Sequence, residues 1–241
     1  MGRIFEKRKH RMFARWAKTS KAFTKLGKEL AIAVRLGGPD PAGNARLRMA
    51  IQTARSLNMP KDRIENAILR ASSKDESGMD EVFYEGYAPH GVGLYIETAT
   101  NNPTRTVANV RNILLKFGGN LATEGALKFL FDRQGVFTVS KPNVDLEEFE
   151  LELIDYGLID MFETEEGDLL IYVQFEHFGD AQKFLEQKKV EVKSAGLQRT
   201  PLTSVDLPPE HQAQVQKIID LLEDDEDVQH VYHNMKITFV E

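Results

Sequence analysis

The spacing of the apolar residues changes near residue 74, and this change constrains the fold more than any other feature of the chain. Before that point, residues such as Leu26 and Leu30 recur at the spacing of one helix face. After it, Val92, Leu94 and Ile96 occupy every second position, as in a strand with one buried face. A helical region followed by mixed strands and helices predicts an α+β protein.

Glycine and proline divide the first region into three helices. The first covers residues 20–36 and ends at Gly37-Gly38-Pro39, where glycine permits a left-handed cap and proline prevents continuation. The second is predicted from Asn44, an N-cap residue, to about Leu57, and the third has Pro60 in its first turn. Short amphipathic helices with short connections predict a small three-helix bundle.

Beyond a polar linker at residues 71–80, the chain is predicted to form two α/β domains. Residues 135–192 follow the order strand, helix, strand, strand, helix, strand, which is that of the ferredoxin-like unit. Elements of the other domain lie on both sides of this segment. The predicted strands are residues 82–88, 91–99, 127–131, 136–139, 158–163, 169–175, 190–195 and 231–240, and the helices are 101–117, 146–156, 178–187 and 209–222.

These elements predict a division into three domains. Residues 1–78 form a basic helical domain, and residues 79–132 with 201–241 form a discontinuous α/β domain. The ferredoxin-like α/β domain at residues 133–200 is inserted between the two parts of the discontinuous one. The predicted fold class is therefore α+β, with a three-helix domain before two α/β domains, one inserted into the other.

Charge is distributed unevenly along the chain. In total, 31 Lys and Arg stand against 37 Asp and Glu, which gives a net charge of −6. Residues 1–74 contain 18 basic and 5 acidic side chains, a net of +13, so the remainder carries −19. A contrast of this size predicts a polyanion-binding region joined to an acidic body.

Nucleic acid is the polyanion that this region fits best, because Lys and Arg that neutralise several phosphates release counterions. Phe13 and Trp16 lie among the charges, where they either stack on bases or pack against the bundle. The alternatives for the charges are a solvated face, pairing with the acidic body, or an anionic membrane, which no wide apolar face supports. The predicted nucleic-acid-binding residues are Lys7, Arg8, Lys9, Arg11, Arg15, Lys18, Lys21, Lys25, Lys28, Arg35, Arg48 and Arg55.

A second candidate, for a single phosphate, lies at the predicted helix start in residues 101–106. The N-terminus of a helix presents free backbone N–H groups and a partial positive charge, which together hold a phosphate. Thr104, Arg105 and Thr106 would add two hydroxyls and a guanidinium. The alternative is that Asn102 or Thr104 caps the helix while Arg105 is solvated.

The sequence offers no support for an enzyme or a metal protein. The absence of cysteine excludes zinc–thiolate sites and a cysteine nucleophile, and no glycine-rich nucleotide motif is present. His230 and His233 are three apart in a predicted strand and point to opposite faces. The acidic run 223–227 lacks the spacing and glycine of a calcium loop, so a solvated loop is the better interpretation.

We therefore predict no catalytic residue, no metal and no cofactor. A metal- or ligand-dependent enzyme that uses an acidic cleft between the α/β domains is a remote alternative, and a pure protein-interaction module is another.

No segment approaches the roughly 18 apolar residues of a membrane span. The basic N-terminus has neither the apolar core of a secretory signal nor the serine content of a transit peptide, so we expect a cytoplasmic protein. The sequence leaves the oligomeric state open.

Seven short segments between residue 23 and the C-terminus carry a family resemblance. They read FTKL at 23–26, AVRLGG at 33–38, NMPKDRI at 58–64, YEGY at 84–87, RTV at 105–107, GGNL at 118–121 and VQHVYHN at 228–234. In this order they resemble the YebC/PmpR family, which includes a mitochondrial translational activator of cytochrome c oxidase. That family usually opens with Gly-His-Ser-Lys-Trp, whereas residues 1–16 here read MGRIFEKRKHRMFARW and keep only the later Lys9-His10-Arg11.

The resemblance implies a helical domain and two α/β domains, one inserted in the other, in agreement with the segmentation above. Members of the family are described as DNA-binding transcriptional regulators and as ribosome-associated translation factors, not as enzymes. The first hypothesis is therefore a DNA-binding transcriptional regulatory protein. The alternative is a factor that binds ribosomal or messenger RNA and relieves stalled translation. The acidic domains are predicted to contact ribosomal or transcription proteins.

Overall fold

A computed structural model describes the backbone of residues 3–73, 78–142 and 145–236, and side chains from residue 19 onward within those ranges. Three helices come first, as the sequence predicts. They are α1 (Arg3–Gly37), α2 (Ala45–Ser56) and α3 (Lys61–Ser72). Helix α1 is longer than the predicted 20–36, because it begins at Arg3.

The bundle is closed by Asn44, which caps α2 as predicted. Its side-chain oxygen accepts from the backbone N–H of Leu47, and its amide nitrogen donates to the carbonyls of Ala33 and Gly38. Gly38 has a φ of 83°, the left-handed conformation that lets the chain leave α1. Asn44 therefore joins the end of α1 to the start of α2. The buried core between the helices contains Leu30, Ala33, Val34, Leu47, Ala50, Ala54, Met59 and Ile64.

The first sheet follows the bundle and has four antiparallel strands in the order β3-β1-β2-β8. Helices α4 and α7 pack on one face of it, over a core that includes Leu94, Ile96, Leu114 and Ile218. Strand β8 is contributed by the far end of the chain and pairs with β2. The elements are β1 (Asp80–Tyr87), β2 (Gly93–Thr100), α4 (Pro103–Lys116), β3 (Asn120–Leu121), α7 (Pro209–Glu223) and β8 (Val228–His233).

The second sheet has four antiparallel strands in the order β5-β6-β4-β7, with α5 and α6 on one face. This is the strand order of a ferredoxin-like unit, so that prediction is confirmed. The predicted bounds of β5 and α6 match the structure. Strands β4 and β7 are longer than predicted, because their antiparallel pairing extends to Phe131 at the start of β4 and Pro201 at the end of β7. The elements are β4 (Phe131–Ser140), α5 (Leu146–Ile154), β5 (Leu158–Glu163), β6 (Asp168–Gln174), α6 (Phe178–Gln187) and β7 (Val192–Pro201).

The predicted bounds of the linker and of the last strand were wrong. The predicted linker at 71–80 was too long, since Ser72 still belongs to α3 and Asp80 already pairs with Thr100 in the first sheet. The last strand begins at Val228 rather than residue 231 and ends at His233, and residues 237–241 lie outside the described chain.

The chain leaves the first sheet after β3 and returns to it through α7 and β8. That path supports the three-domain division, which remains our proposal.

The predicted strand at 127–131 is also wrong, and a buried carboxylate explains why. Residues 124–130 form turns, and only Phe131 belongs to a strand. Within these turns the backbone N–H groups of Gly125 and Leu127 donate to the carboxylate of Glu85, whose residue is 6% exposed. Because Glu85 accepts these N–H groups, they are not available to a neighbouring strand.

No helix in the described part of the chain is long and apolar enough to span a bilayer.

Replacement of Glu85 tests how far this carboxylate stabilises the turns. The variant Glu85→Ala leaves the buried N–H of Leu127 without its acceptor, together with that of the exposed Gly125, so we expect the free energy of unfolding to fall by about 1–3 kcal/mol. Glu85→Gln keeps one acceptor oxygen, so we expect its free energy of unfolding to fall by about half as much. Urea unfolding measures both. Because glutamine has nearly the volume of glutamate, a decrease confined to Glu85→Ala, with none in Glu85→Gln, would show that volume, rather than the missing acceptor, sets the cost.

Candidate nucleic-acid interface

The basic face of α1 lies against an acidic loop from the far end of the chain. We call residues 223–227 the acidic loop and Lys21, Lys25 and Lys28 the lysine stripe. Lys21 Nζ is 2.6 Å from Asp224 Oδ1, and Lys25 Nζ is 2.9 Å from the carbonyl oxygen of Glu223. Lys28 Nζ lies 2.7 Å from Asp227 Oδ1 and donates to the carbonyl of Glu226 at 2.8 Å. Each lysine of the stripe therefore contacts an oxygen of the acidic loop.

Asp227 is the buried centre of this contact, with a residue exposure of 4%. Its second oxygen accepts from Arg105 Nη2 at 2.7 Å, from the Thr106 hydroxyl at 2.8 Å and from Thr100 at 3.2 Å. Burial alone would raise the pKa of this carboxyl, but the hydrogen bonds from Lys28, Arg105 and Thr106 outweigh it and lower the pKa to about 2. Asp227 is therefore held as an anion between α1 and α4.

The other end of the contact is exposed. The side chains of Lys21 and Asp224 retain 47% and 69% of their accessible surface. The hydrogen bond and charge of Lys21 lower the pKa of the Asp224 carboxyl. Partial burial lowers the pKa of Lys25, although Glu223 and Asp224 act in the opposite direction. The contact therefore changes from a buried ion pair at Lys28 to a solvated one at Lys21.

The candidate phosphate site at the start of α4 is used within the protein. Asn102 caps the helix by accepting from the backbone N–H of Arg105, as the alternative interpretation predicted. Arg105 is not simply solvated, because its guanidinium pairs with Asp227. The hydroxyl of Thr106 also points to Asp227, and Thr104 is exposed. Two of the three predicted phosphate ligands thus contact a carboxylate in this structure.

The remaining predicted nucleic-acid-binding residues are spread over the bundle. Arg35 pairs with Asp80, and Arg48 donates to the carbonyls of Pro41 and Ala42. Arg55 is exposed at the end of α2. Lys7, Arg8, Lys9, Arg11, Arg15 and Lys18 fall within the span of α1, and their side chains lie outside the described residues.

Sequence reasoning missed Arg46, which joins the bundle to the first sheet. Its guanidinium contacts Glu29 at 2.8 Å and Glu81 at 2.7 Å, and all three side chains are about 30% exposed or less. Nothing in the sequence distinguished Arg46 from its neighbour Arg48. The interpretation of residues 223–227 as a solvated loop holds for Glu223, Asp224 and Glu226, which are exposed, and was wrong for Asp227, which is buried.

The acidic groups between the domains are neutralised by arginines rather than left free for a metal. Glu97 of β2, whose pKa is raised by burial, contacts Arg199 of β7 at 3.2 Å. Glu29 and Glu81 share Arg46. Across residues 19–73, 78–142 and 145–236, no three His, Asp or Glu side chains meet as a metal site requires. The contacts of these carboxylates give the remote enzyme alternative no support.

The pairing of Asp227 predicts a stability that depends on pH. Asp227→Asn breaks a buried ion pair, so we expect the free energy of unfolding at pH 7 to fall by about 3 kcal/mol. Because the folded pKa lies below the ordinary value near 4, the contribution is complete above about pH 5 and is lost as the pH falls from there to about 2. Urea unfolding of both proteins across this range should show the difference shrinking. A difference that stays constant down to pH 2 would contradict this role of Asp227. The control is Asp224→Asn, at the exposed end of the contact, for which we expect a smaller decrease in the free energy of unfolding.

Comparison with known proteins places the chain in a family. The family model for the TACO1/YebC protein N-terminal domain matches residues 3–74, and that for the TACO1/YebC second and third domain matches residues 79–235. A relative from Anaeromyxobacter dehalogenans is 51% identical over 239 residues, covering 98% of this chain and 100% of its own. One from Flavobacterium johnsoniae is 47% identical over 236 residues, covering 98% and 99%. Both are named probable transcriptional regulatory protein.

A solved structure confirms the fold class. The crystal structure of Aq1575 from Aquifex aeolicus, a conserved hypothetical protein, superposes with a TM-score of 0.81 at 36% sequence identity, covering 93% of each chain. The family is one of probable transcriptional regulators and not of enzymes. With both family models matched and relatives near half identity over their full length, the chain belongs to the TACO1/YebC family.

Proposed function

We propose that this protein is a non-enzymatic regulator that binds nucleic acid through its helical domain, and that DNA is the first target to test. The basic face of α1, together with Arg48 and Arg55, holds the phosphate backbone. The two α/β domains, at 79–132 with 201–241 and at 133–200, supply the acidic surface that contacts transcription or ribosomal proteins. The names of the relatives support a regulatory role.

One observation carries the proposal: the lysine stripe binds anionic and carbonyl oxygens in this structure. Lys21, Lys25 and Lys28 place their ammonium groups 2.6–2.9 Å from oxygens of the acidic loop. Phosphate oxygens accept the same charge-assisted hydrogen bonds. A surface that already satisfies a row of oxygen acceptors has the geometry to satisfy those of a nucleic-acid strand.

Such contacts fix a protein on a strand without reading its sequence. Phosphate contacts are shared by DNA and RNA, and sequence is read by base edges in the grooves. A cytoplasmic location, which we also propose, gives access to both. The proposal therefore commits to backbone binding by α1, and the choice between a transcriptional and a translational role depends on which nucleic acid competes better.

Substitution of two lysines tests the proposal directly. In Lys21→Gln/Lys25→Gln the anchoring Lys28–Asp227 pair is kept, so the fold is retained. We expect the slope of log K against log[salt] on a DNA duplex to flatten by about 0.9 for each phosphate that the variant no longer neutralises. Fluorescence polarisation with labelled duplex DNA, competed by unlabelled RNA of the same sequence, measures the slope and the preference.

The matched control is Lys128→Gln/Lys183→Gln, which removes the same charge from exposed positions outside the bundle. An equal change of slope in both double variants would indicate a net-charge effect and exclude the lysine stripe from the interface. Failure of the unmodified protein to bind either nucleic acid at low salt would refute the proposal. Stronger competition by RNA would favour the translational role over the transcriptional one.

A further inference from the structure

The acidic loop carries its charges where the local structure disfavours them. Helix α7 ends at Glu223, with Asp220 in its last turn and Asp224 as its C-cap, and no basic residue lies in that turn. The C-terminus of a helix carries a partial negative charge, so carboxylates there are repelled and cations are favoured. The cations that offset this repulsion come from α1, about 200 positions earlier in the sequence. The charge of the loop is therefore balanced by the proposed nucleic-acid-binding face.

The loop places oxygen acceptors along the length of the lysine stripe. Lys21, Lys25 and Lys28 occupy one face of α1 over about 10 Å of helix axis. A DNA strand presents one phosphate for each ~3.4 Å of its axis, so the stripe is about three phosphates long. Over the same distance the loop supplies the Asp224 and Asp227 carboxylates and the carbonyls of Glu223 and Glu226.

The two ends of the loop differ in how firmly they are held. Lys28 and Asp227 retain only 15% and 6% side-chain exposure, and Asp227 also binds Arg105 and Thr106. Lys21 and Asp224 are largely solvated. Glu226 is exposed, and Asp225 is half-buried and accepts from Asn109. An exposed ion pair contributes little stability, so the outer part of the loop can be displaced while Asp227 remains anchored.

We propose that the carboxylate of Asp224, with the charges of Asp225 and Glu226 beside it, acts as an internal competitor at Lys21 and Lys25, the solvated end of the lysine stripe, until a nucleic acid displaces it. The proposal rests on the function proposed above and assigns that site its regulation. Binding then requires the phosphates to replace the outer carboxylates, which lowers the affinity for short or weakly charged strands. A partner that draws the loop away from α1 would activate binding.

The test is the triple variant Asp224→Asn/Asp225→Asn/Glu226→Gln. Its side chains keep an oxygen acceptor at each position, including the Asp225 Oδ1 position that accepts from the backbone N–H of residue 227. The variant lacks the three competing charges, so we expect the full-length protein to bind a labelled DNA duplex on the order of tenfold more tightly at fixed salt. The same measurement with an RNA duplex shows whether the gain is general.

A matched control separates local competition from net charge. Glu150→Gln/Glu165→Gln/Glu166→Gln removes three exposed carboxylates from the other α/β domain. A gain confined to the acidic-loop variant supports the proposal. An equal gain in both variants, or none in either, overturns it while leaving the proposed function intact. Absence of binding in all three proteins refutes the proposed function and this inference with it.

The single variant Asp224→Asn provides a second measurement should the triple variant fold poorly. Asp224 lies at the exposed end of the contact, and its replacement leaves the anchor at Asp227 in place. We expect its affinity for the labelled DNA duplex to rise about twofold to threefold, a smaller gain than that of the triple variant. No gain from a folded Asp224→Asn protein would overturn the proposal for the outer part of the loop.

Discussion

The buried carboxylate of Asp227 determines how the helical region sits on the first sheet. An anion with so little exposure is stable only when several donors surround it, because the desolvation of a lone carboxylate is costly. Those donors come from three separate places: Lys28 on α1, Arg105 and Thr106 at the start of α4, and Thr100 at the end of β2. Satisfying one side chain therefore fixes the long first helix against α4 and the loop before β8.

Polar contacts of the same kind complete the junction between the three regions. Arg46 of α2 bridges Glu29 and Glu81, and Arg199 of β7 pairs with Glu97 of β2. Apolar contacts accompany them, since Met49 of α2 packs against the core of the second sheet and Phe131 of β4 packs with Tyr95 of β2, although each region also has a buried cluster of its own. Interfaces of this composition resemble those between separable partners, which suits a protein whose basic face must become available to a polyanion.

Most of the fold follows from local signals in the sequence, and most of the site does not. The cap at Asn44, the left-handed glycine at Gly38 and the position of strand β2 each depend on neighbouring residues, so the pattern predicted them, although β2 is buried at nearly every position rather than on one face alone. The turns at 124–130 did not, because the acceptor of their N–H groups is Glu85, some 40 positions away. Likewise, the pattern identified the lysine stripe as basic and allowed its pairing with the acidic body, but it did not single out the acidic loop, about 200 positions later, as the partner.

Lys28 and Asp227 join α1 to the acidic loop as one coupled pair, and the arrangement of the helical region depends on that coupling. A double-mutant cycle with Lys28→Met, Asp227→Asn and the combined variant, followed by urea unfolding at pH 7, measures it. We expect an interaction free energy of about 2 kcal/mol, because each single variant leaves the other group buried without its partner. A coupling below about 0.5 kcal/mol, the usual limit for independent sites, would show that the two residues do not stabilise the contact together and would contradict their role as its anchor.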